Sequence, residues 1–322
     1  MNELKSNKTR SSKYETQELT TPKIEKKKIK KDDIEDEDIE SPHHLLKKII
    51  FFSILIIVLF GVYITTIETH LFKVNEYKVE SPNIPDSFHG FKIVQISDIH
   101  YGTTTNKKQL DKIVKKVNYL KPDIIVFTGD LIDNSISIND TIKKEVIDSF
   151  KNMEVSLYKY AIKGDNDIDN KQFDEIMNSS NFKILNNEST LLYFESNKPI
   201  LLTGFNTVKT NPDYSIINKD INDIKTSDLY NIVITHDSNS IDDIISEKPD
   251  IIISGGTLGG LIKLPYLKPL FLPENNKKYY EQQFNIDNTE IFISNGIGTS
   301  KINARFNNIP SISLFRLYKT SD

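Results

Sequence analysis

The chain has 322 residues, of which 38% are hydrophobic and 27% charged, with a formal net charge of −4 and no cysteine. Such a length can bury a substantial core and allows two domains at most. A mildly acidic balance argues against nucleic acid as a partner, and the lack of cysteine excludes disulfides, thiolate metal sites and cysteine nucleophiles.

Residues 1–46 are polar, with a lysine block (Lys26, Lys27, Lys28, Lys30, Lys31) running into an acidic block from Asp32 to Glu40. A segment of this composition cannot bury enough apolar surface to offset the entropy of ordering, so it is predicted to be a disordered tail. The composition then changes abruptly. From Ile49 to Ile67 the chain reads IIFFSILIIVLFGVYITTI, without a charge. At about 1.5 Å per residue this run spans a hydrocarbon core of about 30 Å, and it lacks the polar stripe of a helix packed in a protein core. Its distance from the N-terminus and the lack of a small-residue cleavage site distinguish it from a signal peptide. The expectation is therefore one transmembrane helix over 47–68, anchored in a lipid bilayer through residues 49–67. Lys47 and Lys48 precede it, with Lys30 and Lys31 further back, whereas only Lys73 and Lys78 lie close on the far side. The positive-inside bias predicts a single-pass cell-membrane protein with a cytoplasmic N-terminus and an extracytoplasmic C-terminal domain.

After a connecting segment over 69–85, a folded domain is expected over 86–320. Short apolar, β-branched runs recur at 91–97, 124–128, 158–162, 200–203, 231–235, 250–254, 290–294 and 312–317. Most do not alternate, as expected of strands covered on both faces. Leu110, Ile113, Val114, Val117 and Leu120 repeat at helical spacing before Lys121-Pro122, and 141–150 gives a second helix. Strands alternating with helices predict a layered α/β domain.

The polar residues fall at the ends of these runs. Strand 91–97 leads into Asp98-Ile99-His100, and 124–128 into Gly129-Asp130. The third run leads to Gly164-Asp165-Asn166-Asp167, the run at 231–235 to His236-Asp237, and the run at 250–254 to Gly255-Gly256-Thr257-Leu258-Gly259-Gly260. The carboxyl edge of such a sheet is where ligands bind. A single aspartate there is usually a turn former. A series that includes His100 and His236 instead suits a divalent cation, with Asp130 placed to bridge two. The remaining histidines, His43, His44, His70 and His89, lie in the tail, the connecting segment or the entry to the domain.

Read in this order, the motifs resemble those of the calcineurin-like metallophosphoesterases, in particular a bacterial membrane-anchored branch. That family carries D-x-H, G-D, G-N-H-D or G-N-H-E, a lone histidine after a strand, and G-H-x-H-G-G-Q followed by Leu-Pro. Here Leu264-Pro265 follows the glycine-rich loop, and SNGIGTSKINARFNNIPSISLFRL is similar to the family's closing loop and strand. The resemblance covers residues 86–318 and implies a four-layer α/β/β/α sandwich with a dinuclear site. By that likeness one ion keeps Asp98, His100 and Asp130, and the other keeps Asp130, Asp165 and His236.

Gly256 and Leu258 stand where the family has the two histidines of G-H-x-H, and Asn166 stands at the family's catalytic histidine. An amide cannot transfer a proton near neutral pH. The chain is thus expected to bind one or two divalent ions, manganese or magnesium rather than zinc given the carboxylate-rich donors. Its catalysis is expected to be impaired or absent, with no residue assigned as catalytic. The alternative is an active metal-dependent phosphoesterase acting on a lipid or cell-envelope phosphate ester, for which the apolar stretch LIKLPYLKPLFLP (261–273) beside the site speaks.

Overall fold

In the computed structural model the described residues are 42–273 and 276–321. The tail expected over 1–46 therefore lies outside them except for 42–46, which already belong to a helix. That helix, α1 (Pro42–Val62), runs on through a π-helical turn (Tyr63–Ile67) and a 3-10 turn (Glu68–His70). The stretch His43–His70 is long and apolar enough to cross a membrane. Near its end the hydroxyls of Thr65, Thr66 and Thr69 donate to the carbonyls of Gly61, Val62 and Thr65, so these polar side chains are satisfied within the helix itself. From Ile54 onward, α1 belongs to the same compact unit as the rest of the chain.

The elements that follow are β1 (Lys73–Ser81), β2 (Lys92–Ile96), α2 (Lys107–Leu120), β3 (Ile124–Phe127), α3 (Asp140–Lys151), β4 (Tyr158–Ala161), α4 (Phe173–Ser179) and β5 (Phe182–Ile184). After them come β6 (Glu188–Leu192), β7 (Ile200–Phe205), β8 (Asn231–Thr235), α5 (Ile241–Ile245), β9 (Ile251–Ser254), β10 (Gln283–Ile286), β11 (Thr289–Ile293) and β12 (Ser311–Lys319). They form two six-stranded sheets, in the orders β1-β12-β2-β3-β4-β5 and β10-β11-β9-β8-β7-β6. Part of the segment expected to be a connection is thus strand β1, paired in parallel along the edge of β12.

Alternation along each strand builds the layers. Ile93 of β2, Ile124 and Val126 of β3, Ile232 and Ile234 of β8, and Ile251 and Ile253 of β9 meet between the sheets. Val94, Ile96, Ile125 and Phe127 point the other way, onto α2, α3 and α4. On the second sheet Val233 and Ile252 pack against α5. Because both faces of the central strands are buried, nearly every position in them is apolar, and the period-2 signal disappears from the sequence. Each branched side chain taken from water contributes about 1.5–3 kcal/mol. The result is a four-layer α/β/β/α arrangement. Helix α2 starts at Asn106, whose side chain accepts from the Gln109 amide, and stops at Lys121, held left-handed at φ 51° because Pro122 cannot continue it.

Candidate metal centre

The loops after β2 and β3 run side by side beyond the last strand residues. Asp98 N–H donates to Gly129 O (2.9 Å), His100 N–H to Asp130 O (3.1 Å) and Tyr101 N–H to Leu131 O (2.9 Å). Asp98, His100 and Asp130 all sit in the left-handed region, at φ of 51°, 43° and 62°. Non-glycine residues persist there only when their surroundings over-determine the backbone. Asp167 supplies part of that constraint. Its fully buried carboxylate accepts from the amides of Asp130 (2.6 Å), Leu131 (3.0 Å) and Gly164 (2.9 Å). Burial pushes its carboxyl up to about 7. Gly129 lies between these loops, where a Cβ would come within 2.5 Å of Gly164 N and 2.7 Å of His236 Nδ1.

On this frame the donor atoms of Asp98, Asp130 and His236 lie within 4.8 Å of one another, and all three residues are buried. His236 Nδ1 is 2.7 Å from Thr128 O, a carbonyl that can only accept. Nδ1 therefore carries a proton, and Nε2 faces Asp130 Oδ2 at 3.6 Å. His100 Nε2 lies 3.5 Å from the same oxygen, and Asp133 Oδ2 stands 3.2 Å behind its Nδ1. Asp133 orients that imidazole as carboxylates do behind metal-bound histidines. It lies three residues past Asp130, and nothing in the strand-end pattern singles it out.

The electrostatics are those of a site built for positive charge. Burial opposes ionisation of Asp130, but His236, His100 and the donors of Asn166 hold its carboxyl below the ordinary value. Burial raises the Asp98 carboxyl, with His236 pulling it down and Asp130 adding to the rise. Burial also disfavours charge on His236, yet Asp130, Asp237 and Asp98 together lift it to about 10. Ser97 Oγ and the Gly256 amide (3.1 Å to each oxygen) donate to the Asp98 carboxylate. His100 makes no well-aligned hydrogen bond from either ring nitrogen; the Asp133 and Asp130 carboxylates face them at ion-pair distance.

The sequence reading grouped Asp165 with Asp130 and His236. In the structure its carboxylate instead accepts from Thr207 Oγ1 and pairs with Lys209 Nζ at 3.3 Å. It lines the same cavity as Asp130 and His236, with these partners on the loop after β7. Asn166 approaches more closely. Its side-chain amide donates to Asp130 Oδ2 at 2.7 Å, its backbone N–H to Oδ1 at 2.8 Å, and its own Oδ1 accepts from Asn134 N at 3.0 Å. Gly256 has a φ of 73°, and a Cβ on it would meet His236 O at 2.6 Å and Asn276 Nδ2 at 2.7 Å. Asn276, buried and accepting from Ser238 N at 2.6 Å, therefore fills the space beside that glycine. Leu258 is buried, and its side chain and that of Asp98 both lie against Gly296.

Above the cluster opens a cavity of about 450 Å³. His100, Asp130, His236 and Asn166 form its polar floor, Lys209 and Lys301 bring positive charge, and Leu261, Leu270, Phe271, Leu272 and Ile302 give it an apolar wall.

Residues 91–311 match the family described as calcineurin-like phosphoesterase. The chain is similar to the metallophosphoesterase YkuE of Bacillus subtilis strain 168, with 29% identity over 265 residues, 80% of this chain and 90% of the relative. It is also similar to a transmembrane protein with metallophosphoesterase domain of Danio rerio, 26% identical over 200 residues, 58% of this chain and 45% of that one. A shorter match joins it to the UDP-2,3-diacylglucosamine pyrophosphatase LpxG of Chlamydia trachomatis, 39% identical over 75 residues and 23% of each chain.

Proposed function

Because the chain belongs to the calcineurin-like phosphoesterase family, we propose that it is a membrane-anchored, cation-binding member of that family whose hydrolytic power is weakened or lost. One observation carries this reading. Asp98, Asp130 and His236 converge within 4.8 Å, while Asn166, Gly256 and Leu258 place neither a proton donor nor a ligand side chain around them. Two buried carboxylates beside each other, with the Nε2 atoms of His100 and His236 turned toward Asp130 at 3.5 and 3.6 Å, are costly without a compensating cation, so the residues present fit one. Asp98, Asp130 and His236 would hold it, with His100 alongside, and the carboxylate-rich set favours manganese or magnesium.

A divalent ion in such a place supplies Lewis acidity toward a phosphoryl oxygen and acidifies bound water. The chain's own residues orient that chemistry. Asp133 and Thr128 fix the two imidazoles, Asn166 pins Asp130, and Lys209 and Lys301 offer charge to a phosphate group entering the cavity. What is missing is an acid for the leaving group, a loss that typically costs 10²–10⁴-fold. Lys47 and Lys48, in the first turns of α1 just ahead of its uncharged run, favour a cytoplasmic N-terminus and an extracytoplasmic domain.

A second reading, an active phosphoesterase for a lipid or cell-envelope phosphate ester, draws on the apolar cavity wall. The chlamydial relative is named for an acylated substrate, though its match covers only 23% of this chain. The two readings separate in one experiment on the full-length protein. Metal content and manganese-dependent hydrolysis of a generic phosphodiester are measured for the wild type and for Asp130→Ala. The proposal expects bound metal that the variant loses, with equal, near-background hydrolysis in both. Hydrolysis that vanishes in Asp130→Ala supports the enzyme, and no divalent metal even after manganese is supplied overturns cation binding.

A further inference from the structure

Past residue 71, every exposed leucine, isoleucine, valine or phenylalanine among the described residues lies in one loop: Leu267 (62% exposed), Leu270 (53%) and Phe271 (41%), with Tyr266 wholly exposed beside them. Large apolar side chains gathered on one projection mark an interaction surface. The loop is a hairpin-like excursion, closed where Leu270 N–H donates to Ile262 O at 3.0 Å. Its base is tied to the segment around Phe306, with Phe306 N–H donating to Leu261 O (3.0 Å) and Lys263 N–H to Phe306 O (2.9 Å).

That segment also touches the apolar helix. The Phe306 ring meets Phe60 edge to face at 5.1 Å, and Arg305 N–H donates to Ile64 O at 2.8 Å. Phe60 lies well inside the uncharged run, about 10 Å along the helix before Ile67. The segment that carries the base of the loop is thus the one that packs on the apolar run of the helix. Tyr266 and Lys268, an aromatic and a cation at the tip, are residue types suited to the headgroup boundary.

We propose that the loop 264–272 inserts its apolar tip into the lipid bilayer beside the membrane helix. The cavity over Asp98, Asp130 and His236 then opens at the membrane surface, with Leu270 and Phe271 continuous from bilayer to cavity wall. The inference rests on the reading of α1 as the membrane anchor. The occupant of the apolar surface is phospholipid rather than a second protein, because the loop is tied at its base to the segment packed on Phe60 of a helix whose own exposed apolar side chains, as an anchor, lie in lipid.

The chain contains no tryptophan, so single-tryptophan variants report without background. Full-length L267W, F52W and Y119W are reconstituted separately in phosphatidylcholine–phosphatidylglycerol nanodiscs, with ordinary or brominated acyl chains, and are also exposed to acrylamide. Tyr119 lies exposed in α2 and Phe52 in the membrane helix. The expected result is loss of emission in brominated lipid for L267W and F52W, with none for Y119W. L267W behaving like Y119W overturns the docking and leaves the anchor standing. F52W unaffected by brominated lipid overturns the anchor reading itself. L267W shielded from acrylamide yet insensitive to brominated lipid points to a protein partner and also overturns the proposal.

Discussion

Gly256 shows how the centre has closed around what it lacks. A side chain there must accept a backbone φ of 73° and displace both Asn276 and the carbonyl of His236. Gly256→His is therefore expected to lose about 1–3 kcal/mol of stability and to gain no metal, measured by thermal unfolding and elemental analysis. Adding Asn276→Ala should recover part of the loss, because one of the two obstructing groups is then gone. Asn166 is different: its position has room for exchange at the cavity floor. If the absent acid is what limits hydrolysis, Asn166→His should raise the manganese-dependent rate by about 10²-fold in a phosphodiester assay. Asp133 acts through His100, so Asp133→Ala should weaken metal affinity about 10–100-fold in a titration followed by calorimetry. The sequence marked Asp98, His100, Asp130 and His236 as site candidates because each follows a strand end directly. It gave no sign that Asp165 meets Thr207 and Lys209 from a distant loop, nor that Asn276 meets Gly256 in the fold.

At the level of elements, the strands with legible signals were those buried on both faces, where apolar residues run uninterrupted. Strand β1 carries KVNEYKVES, charged and half exposed, the pattern of an edge, and so reads as a connection. Its Val79 is nonetheless buried, and Tyr77 packs on Phe292 (4.7 Å) and Phe315 (5.4 Å). A fragment starting at residue 72 is thus expected to unfold cooperatively in urea. One starting at residue 86 strips the edge of β12 and should lose that cooperativity or aggregate. Strand β4 carries Lys159, which reaches the carbonyls of Phe150 (3.0 Å) and Met153 (3.5 Å) from a mostly buried position. Burial lowers its ammonium from 10.5 to about 8. The folded state therefore releases this proton before the unfolded state does. The penalty of burying the charge is complete below about pH 8 and fades as pH rises toward 10.5, so stability increases over that window. Lys159→Met should flatten the corresponding rise in Tm.

For the whole molecule, the proposed orientation predicts that protease added to intact spheroplasts digests the domain, and that replacing Lys47 and Lys48 by glutamate protects a fraction of it. The connection between anchor and domain adds a constraint of another kind. Only Leu71 and Phe72 separate the last helical turn from β1, and Glu68 Oε1 takes the Asn308 amide at 2.7 Å. Two extended residues reach about 7 Å, so the domain is moored rather than tethered. With α1 in the bilayer as proposed, it would sample a thin shell along the lipid surface and have no search volume above it. On that reading encounters would be governed by lateral diffusion in two dimensions, and a phosphate carried deep in an outer layer would meet this site only if its carrier brought it to the membrane.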